Sequence, residues 1–124
     1  MAVETIEKNR TVDVIIPVYK PDAVFETLLE RLGKQNYPIR RIIIMNTEQS
    51  FWKEDIYETV PNLEVHHVTK NEFDHGGTRN QGASYSEADI MVFMTDDAIP
   101  ADRELIGALV TVSYTHLTLP TNRE

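Results

Sequence analysis

Apolar residues fall along this chain in short runs, separated by segments of a different period. Thr11 to Ile16 (TVDVII) is β-branched and almost wholly apolar, and Pro17 is expected to end it. A run of this kind fits a strand covered on both faces of a parallel sheet. Asp22 then precedes Phe25, Leu28, Leu29 and Leu32, which recur at helical spacing. Asp22 reads as the N-cap of that helix and Gly33 as its C′ residue. After a turn at Gln35 to Pro38, Arg41 to Met45 (RIIIM) predicts a second buried strand. Asn46 to Ser50 reads as polar loop and Phe51 to Val60 as a short helix. Leu63 to Val68 (LEVHHV) alternates as a third, less deeply buried strand would. Gly76 to Ser86 predicts a helix with a glycine-rich start, and Ile90 to Met94 (IMVFM) a fourth strand, the most apolar of all. Ala101 to Val110 begins another helix.

Strands that alternate with helices imply right-handed crossovers and an α/β fold with a Rossmann-like open parallel sheet. Ligands of such sheets sit beyond the carboxyl ends of the strands, where strand order reverses. With the order 3-2-1-4, that point lies between the first and fourth strands. The loops meeting there are Pro17-Val18-Tyr19 and Thr95-Asp96-Asp97. The turn after the first strand, PVYKPD, lacks the glycines of a dinucleotide-binding oxidoreductase. A glycine-arginine loop follows the third strand, whereas a sugar-nucleotide pyrophosphorylase would place it after the first.

A length of 124 residues bounds the chain to one domain, and 41% apolar residues support a small core. There is no cysteine, hence no disulfide framework or thiolate chemistry. The polar start, MAVETIEKNR, does not resemble a signal peptide, and no apolar run reaches the length of a membrane span. A cytoplasmic location is expected, with any association at the inner membrane face made through other parts. The net charge of −8 argues against nucleic-acid binding. An anionic ligand must therefore be held locally, by a cation, a helix end or a metal.

Two segments could do so. Thr95-Asp96-Asp97 follows a buried strand, and Ala98-Ile99-Pro100 keeps the chain extended beyond it. Taken alone, an acidic helix cap is the plainer reading of those carboxylates. Adjacent carboxylates point apart, so one is available to magnesium or manganese while the other contacts sugar or solvent. Asp74-His75-Gly76-Gly77-Thr78-Arg79-Asn80 joins glycines that permit close backbone approach to a permanent cation. A glycine turn with Arg79 paired to Asp74 explains it equally well. His75 could donate to a sugar or phosphate oxygen, although a lone histidine is more often structural. His66 and His67 share a strand and face opposite ways, which excludes a common chelate. Tyr19 could stack on a base, against ordinary loop packing, and Asn46 could bond a base edge, against a turn role. Phe51 and Trp52 read as helix-face packing.

Taken together these residues resemble a family-2 glycosyltransferase of the GT-A fold, over roughly residues 11 to 110. VDVIIPVYKPD resembles that family's opening strand and base-binding loop, and KQNYPIRRIIIMN its second strand. FDHGGTRNQGA followed by IMVFMTDDAIPAD is similar to a rhamnosyltransferase-like branch, in which threonine begins the usual Asp-any-Asp metal motif. The resemblance implies the truncated nucleotide-binding half of a GT-A domain, with Asp97 as the ligand of a divalent Mg or Mn ion. It places Pro17 and Tyr19 in the loop against the nucleobase, and Asn46 where the family usually has a base-contacting Asp. His75, Gly77, Arg79, Asn80 and Asp96 fall along the donor pocket. The implied reaction moves a sugar from a dTDP- or UDP-linked donor to a glycan or lipid-linked acceptor hydroxyl, with inversion. The general base would come from beyond the metal motif.

The run VSYTHLTLPTNRE does not continue the alternating pattern. It resembles an in-frame translation of a sequencing-library adapter, with Thr111 at the junction. Residues 1–110 are accordingly expected to form the donor-binding part, and residues 111–124 a non-native, disordered tail. The rival expectation, from another class altogether, is a non-enzymatic remnant that folds poorly.

Overall fold

The computed structural model describes residues 10–58, 60–70 and 75–115, and the side chains of these except at 75, 76 and 112–115. Four strands, β1 (Val12–Tyr19), β2 (Arg41–Thr47), β3 (Leu63–Val68) and β4 (Ile90–Phe93), form one sheet in the order β3-β2-β1-β4. All three pairings are parallel, as the apolar runs predicted. The helices are α1 (Ala23–Gly33), the single turn α2 (Glu54–Tyr57), α3 (His75–Ser84) and α4 (Leu105–Thr115), with a 3-10 turn at Gln49–Phe51.

Alternation along the strands divides the core. Val12, Val14, Ile16 and Val18 of β1 join Ile42 and Ile44 of β2 beneath Phe25, Leu28, Leu29 and Leu32 of α1 and Ile106 and Val110 of α4. Ile15, Ile43 and Met45 face the other way, toward Ala83 of α3. The sheet is thus sandwiched, which explains why its central strands carry no polar alternation. At its amino edge the fully buried Asp13 accepts from Arg40 Nη2 and Ser86 Oγ, both at 2.6 Å. This hydrogen bond raises the pKa of the Arg40 guanidinium.

Asp22 caps α1, its Oδ1 accepting from Val24 N at 3.1 Å and Phe25 N at 3.3 Å. Asp22→Ala is expected to cost about 1 kcal/mol, read as a lower denaturation midpoint. Gly33 closes α1 as its last residue rather than as a left-handed C′ residue. The cap is Lys34 at φ −104°, and no described glycine has positive φ.

Several boundaries differ from the sequence reading, three of them by more than two residues or with a clear physical cause. β1 runs through Pro17 to Tyr19. In a parallel ladder alternate residues address opposite neighbours, and Thr11 and Ile15 address β4 through their carbonyls. Pro17 is next in that series, but pairing with β4 ends at Ile15 and Phe93. Its missing N–H therefore breaks no ladder bond. The predicted helix over 51–60 is only a 3-10 turn and one helical turn. Trp52 breaks it by turning inward onto Phe25 and Tyr57 at 5.9 and 5.0 Å, with its indole N–H on Glu58. The last helix begins at Leu105 rather than Ala101 and continues through Thr111 to Thr115. Residues 116–124 lie outside the described residues.

Candidate donor site at the carboxyl edge

The carboxyl ends of β1 and β4 are joined by a side chain. Asp96 Oδ2 accepts the backbone N–H of Tyr19 at 3.3 Å. The Tyr19 N–H belongs to the same series as Pro17 and points to where β4 has already stopped, so a carboxylate from the following loop takes it. Asp97 turns the other way, its Oδ1 accepting from Thr95 Oγ1 at 2.9 Å. The two carboxylates diverge, and Asp97 is the more exposed. Burial pushes the Asp96 carboxyl above its ordinary range. The Tyr19 N–H opposes that shift, while the charges of Asp97 and, more weakly, Asp22 add to it. The two carboxylates make this corner locally negative.

The donor set suits a divalent ion of the Mg or Mn kind. Asp97 Oδ2 has no hydrogen-bond partner among the described residues, and carboxylate oxygens are the ligands such ions prefer. No group of three or more His, Asp or Glu that could enclose a metal occurs among the described residues. A metal held at Asp97 would take further oxygens from water or from a ligand such as a diphosphate.

On the face of the sheet away from α1, α3 lies across β1 and β2. Gly77 is in its first turn and exposed, with helical rather than unusual backbone. Arg79, two residues further, holds its guanidinium 5.9 Å from the ring centre of Phe93, the last residue of β4. That contact places Arg79 by the strand from which Thr95-Asp96-Asp97 departs. The exposed Asn80 follows it on the helix. His75 opens α3 but its side chain is not among those described, and Asp74 lies outside the described residues, so the suggested Asp74–Arg79 pair does too.

Tyr19 and Asn46 are placed otherwise than expected. Asn46 is not beyond β2 but within it, fully buried. Its Nδ2 donates to Glu48 O at 3.2 Å and lies 3.1 Å from His67 Nδ1. This side chain anchors the following loop, where Glu48 takes the unusual φ of 70°. Tyr19 is exposed, but its ring is already surrounded: Phe51 meets it edge-on at 5.9 Å, and the ammonium groups of Lys20 and Lys70 lie within 5.5 Å of its centre. Phe51 is therefore a neighbour of Tyr19 rather than core packing. The sequence reading passes over Lys20 and Lys70 and gives Phe51 only helix-face packing, because only the meeting of three strand ends gathers them. His66 and His67 do face opposite ways, His66 stacking on Tyr85 at 3.8 Å and His67 lying 6.1 Å from Trp52.

Known proteins share this fold. The chain is 32% identical over 107 residues to the O-antigen chain rhamnosyltransferase RfbN of Salmonella typhimurium, covering 80% of this chain and 32% of that protein. The chain spans about a third of the length of the curated relatives it matches. Among solved structures, S. aureus TarS 1–349 superposes with a TM-score of 0.67 at 24% identity, over 86% of this chain and 33% of its own. The mannosyltransferase PcManGT from Pyrobaculum calidifontis, in complex with GDP-Man and Mn2+, gives 0.67 at 23% identity, over 84% and 32%. These two share the α/β fold with its all-parallel sheet. The model of glycosyl transferase family 2 matches residues 13–114, and the chain belongs to that family.

Proposed function

We propose that this chain is the donor-nucleotide half of an inverting, metal-dependent glycosyltransferase. The complete protein would move a sugar, rhamnose on the strength of the RfbN relationship, from a dTDP- or UDP-linked donor to a glycan or lipid-linked acceptor hydroxyl. The observation that carries this reading is the Asp96–Tyr19 bridge, which gathers the ends of β1 and β4 where an open α/β sheet takes its ligands. A divalent ion at Asp97 would offset the charge growing on the leaving diphosphate, the electrostatic contribution that dominates such transfers. The chain's own residues would do the rest. Asp96 keeps the β1 loop against the metal-motif loop, and Pro17 and Tyr19 border the nucleoside. Gly77 and Arg79 present a helix start and a cation toward the phosphates. His75 could add a hydrogen bond there. Asn46 would act through the loop it anchors rather than by touching the base directly.

A general base must take the proton of the acceptor hydroxyl. We place it in sequence outside this chain. Residues 1–110 would then be the functional donor part, with 111–124 contributing nothing to it. No described helix is long and apolar enough to cross a membrane, so any attachment to the inner membrane face would be made elsewhere.

Thermal unfolding of the purified chain tests this reading. With manganese and dTDP or UDP together, a single cooperative transition should move to higher temperature, because a ligand that binds only the folded state stabilises it. The absence of any cooperative transition would favour the poorly folded remnant instead. The same preparation should transfer no sugar to any acceptor, and sustained turnover would overturn the assignment of the base to other sequence.

A further inference from the structure

Two ammonium groups end on one ring. Lys20 Nζ lies 5.4 Å and Lys70 Nζ 5.5 Å from the centre of Tyr19, and Lys20 Nζ is also 5.3 Å from the centre of Phe51. They arrive from different strand ends, Lys20 just past β1 with φ of 53° and Lys70 two residues past β3. Both backbones are fixed from outside. Asp96 holds the amide of Tyr19 beside Lys20, and Glu48 accepts the amide of Lys70 through its carboxylate.

Among the described residues neither ammonium pairs with a carboxylate, whereas Lys34, Arg40 and Arg41 each do. Lys20 and Lys70 are set apart by their place: among the described residues they are two cations that end on one ring, that of Tyr19, whose backbone amide Asp96 holds at the site. A ring face gives an exposed ammonium only about 0.5–1 kcal/mol, and the two like charges repel. An anion lodged between them relieves both shortfalls at once.

The geometry points to Lys20 and Lys70 as a second positive pole for the donor's diphosphate, one that works without the metal. This rests on the donor-site reading given above and adds to it two residues and a separable contribution to affinity. Tyr19 serves here as the platform that carries the two lysines. Recognition divides accordingly: Asp97 engages the phosphates only through a divalent ion, and the lysine pair engages them directly.

Calorimetric titration of the whole chain with uridine and UDP, and with thymidine and dTDP, in EDTA and in manganese, tests this. In EDTA the diphosphate of the preferred base should bind about tenfold tighter than its nucleoside, as expected for charge-assisted hydrogen bonds, and the gap should narrow as salt rises. The double variant Lys20→Met/Lys70→Met should erase the gap, and Lys20→Arg/Lys70→Arg should keep it. Lys53→Met, which removes the same charge away from the ring, should keep it as well. Equal binding of diphosphate and nucleoside in EDTA, or a gap that survives the double methionine variant, overturns the inference while leaving the donor site standing if manganese still promotes binding. Failure of every diphosphate to bind with manganese removes the donor site and this inference together.

Discussion

Gly82→Ala should destabilise the protein by up to about 2 kcal/mol, although alanine is the better helix former. A Cβ at Gly82 would sit 2.7 Å from Ile15 Cγ2 and 3.1 Å from Met45 Cγ. Ile15 and Met45 are fully buried, and Ile15 lies in the central strand, so its methyl cannot retreat cheaply. Overpacking of a filled core typically costs 1–3 kcal/mol, against a propensity gain of about 1 kcal/mol for replacing glycine in a helix. Gly82→Val enlarges the clash and forfeits much of that gain, so its loss should be greater. Both should also weaken nucleotide binding, because lifting α3 from the sheet moves Arg79 away from Phe93. Urea denaturation with and without manganese and nucleoside diphosphate measures both effects. An alanine variant as stable as the parent would show that propensity outweighs the contact and that α3 is not seated on β1 as described.

The second large effect belongs to the paired carboxylates, and it separates stability from binding. Burial raises the pKa of Asp96 above its ordinary value, so the ionised form is the less favoured one in the folded protein. The sign follows directly. Above the folded pKa the charge penalises the fold, and the penalty fades as pH falls through that value toward the unfolded one. Asp96→Asn keeps an oxygen for the Tyr19 N–H and removes the charge. It should raise the unfolding midpoint at neutral pH and lose that advantage in acid. The same variant should lose most of the manganese-dependent affinity for nucleoside diphosphate, on the order of 100-fold if Asp96 supports the metal site as an outer partner does. Asp97→Asn should abolish the response to manganese altogether. A neutral-pH midpoint for Asp96→Asn below that of the parent would contradict the burial argument. A retained manganese response in Asp97→Asn would move the metal elsewhere.

Much of the architecture was legible in the chain. The runs TVDVII, RIIIM, LEVHHV and IMVFM mark the four strands, and the supposed order 3-2-1-4 is the observed one. The first two runs are readable because a strand covered on both faces needs nothing but apolar residues, whereas Met91 and Phe93 of β4 are exposed despite its apolar sequence. Asp22 and the spacing of Phe25, Leu28, Leu29 and Leu32 gave α1 for a similarly local reason. The errors share a different origin. Pro17 looked like a stop because proline usually interrupts a ladder, and only the early end of β4 makes it harmless. Asn46 looked like loop because asparagine favours turns, yet inside β2 its amide finds Glu48 O and His67. Trp52 and Phe51 looked like one helix face, and tertiary packing sends one inward and the other to Tyr19. At the candidate site, the divergence of Asp96 and Asp97 followed from their adjacency. The lysines around Tyr19 could not be foreseen, since residues 20 and 70 become neighbours only when the sheet is assembled.

Pro17 has one more consequence. A strand that outruns its neighbour leaves a step in the sheet, and such steps tend to fill when the shorter strand grows by another rung. Growth here would require a hydrogen from an imide nitrogen that has none. The step beside β1 is thus protected by covalent chemistry rather than by packing, and the loop after β4 must swing outward to reach Tyr19 with a side chain. The break in pairing beyond Ile15 and Phe93 thus recurs in every molecule, and one proline secures it.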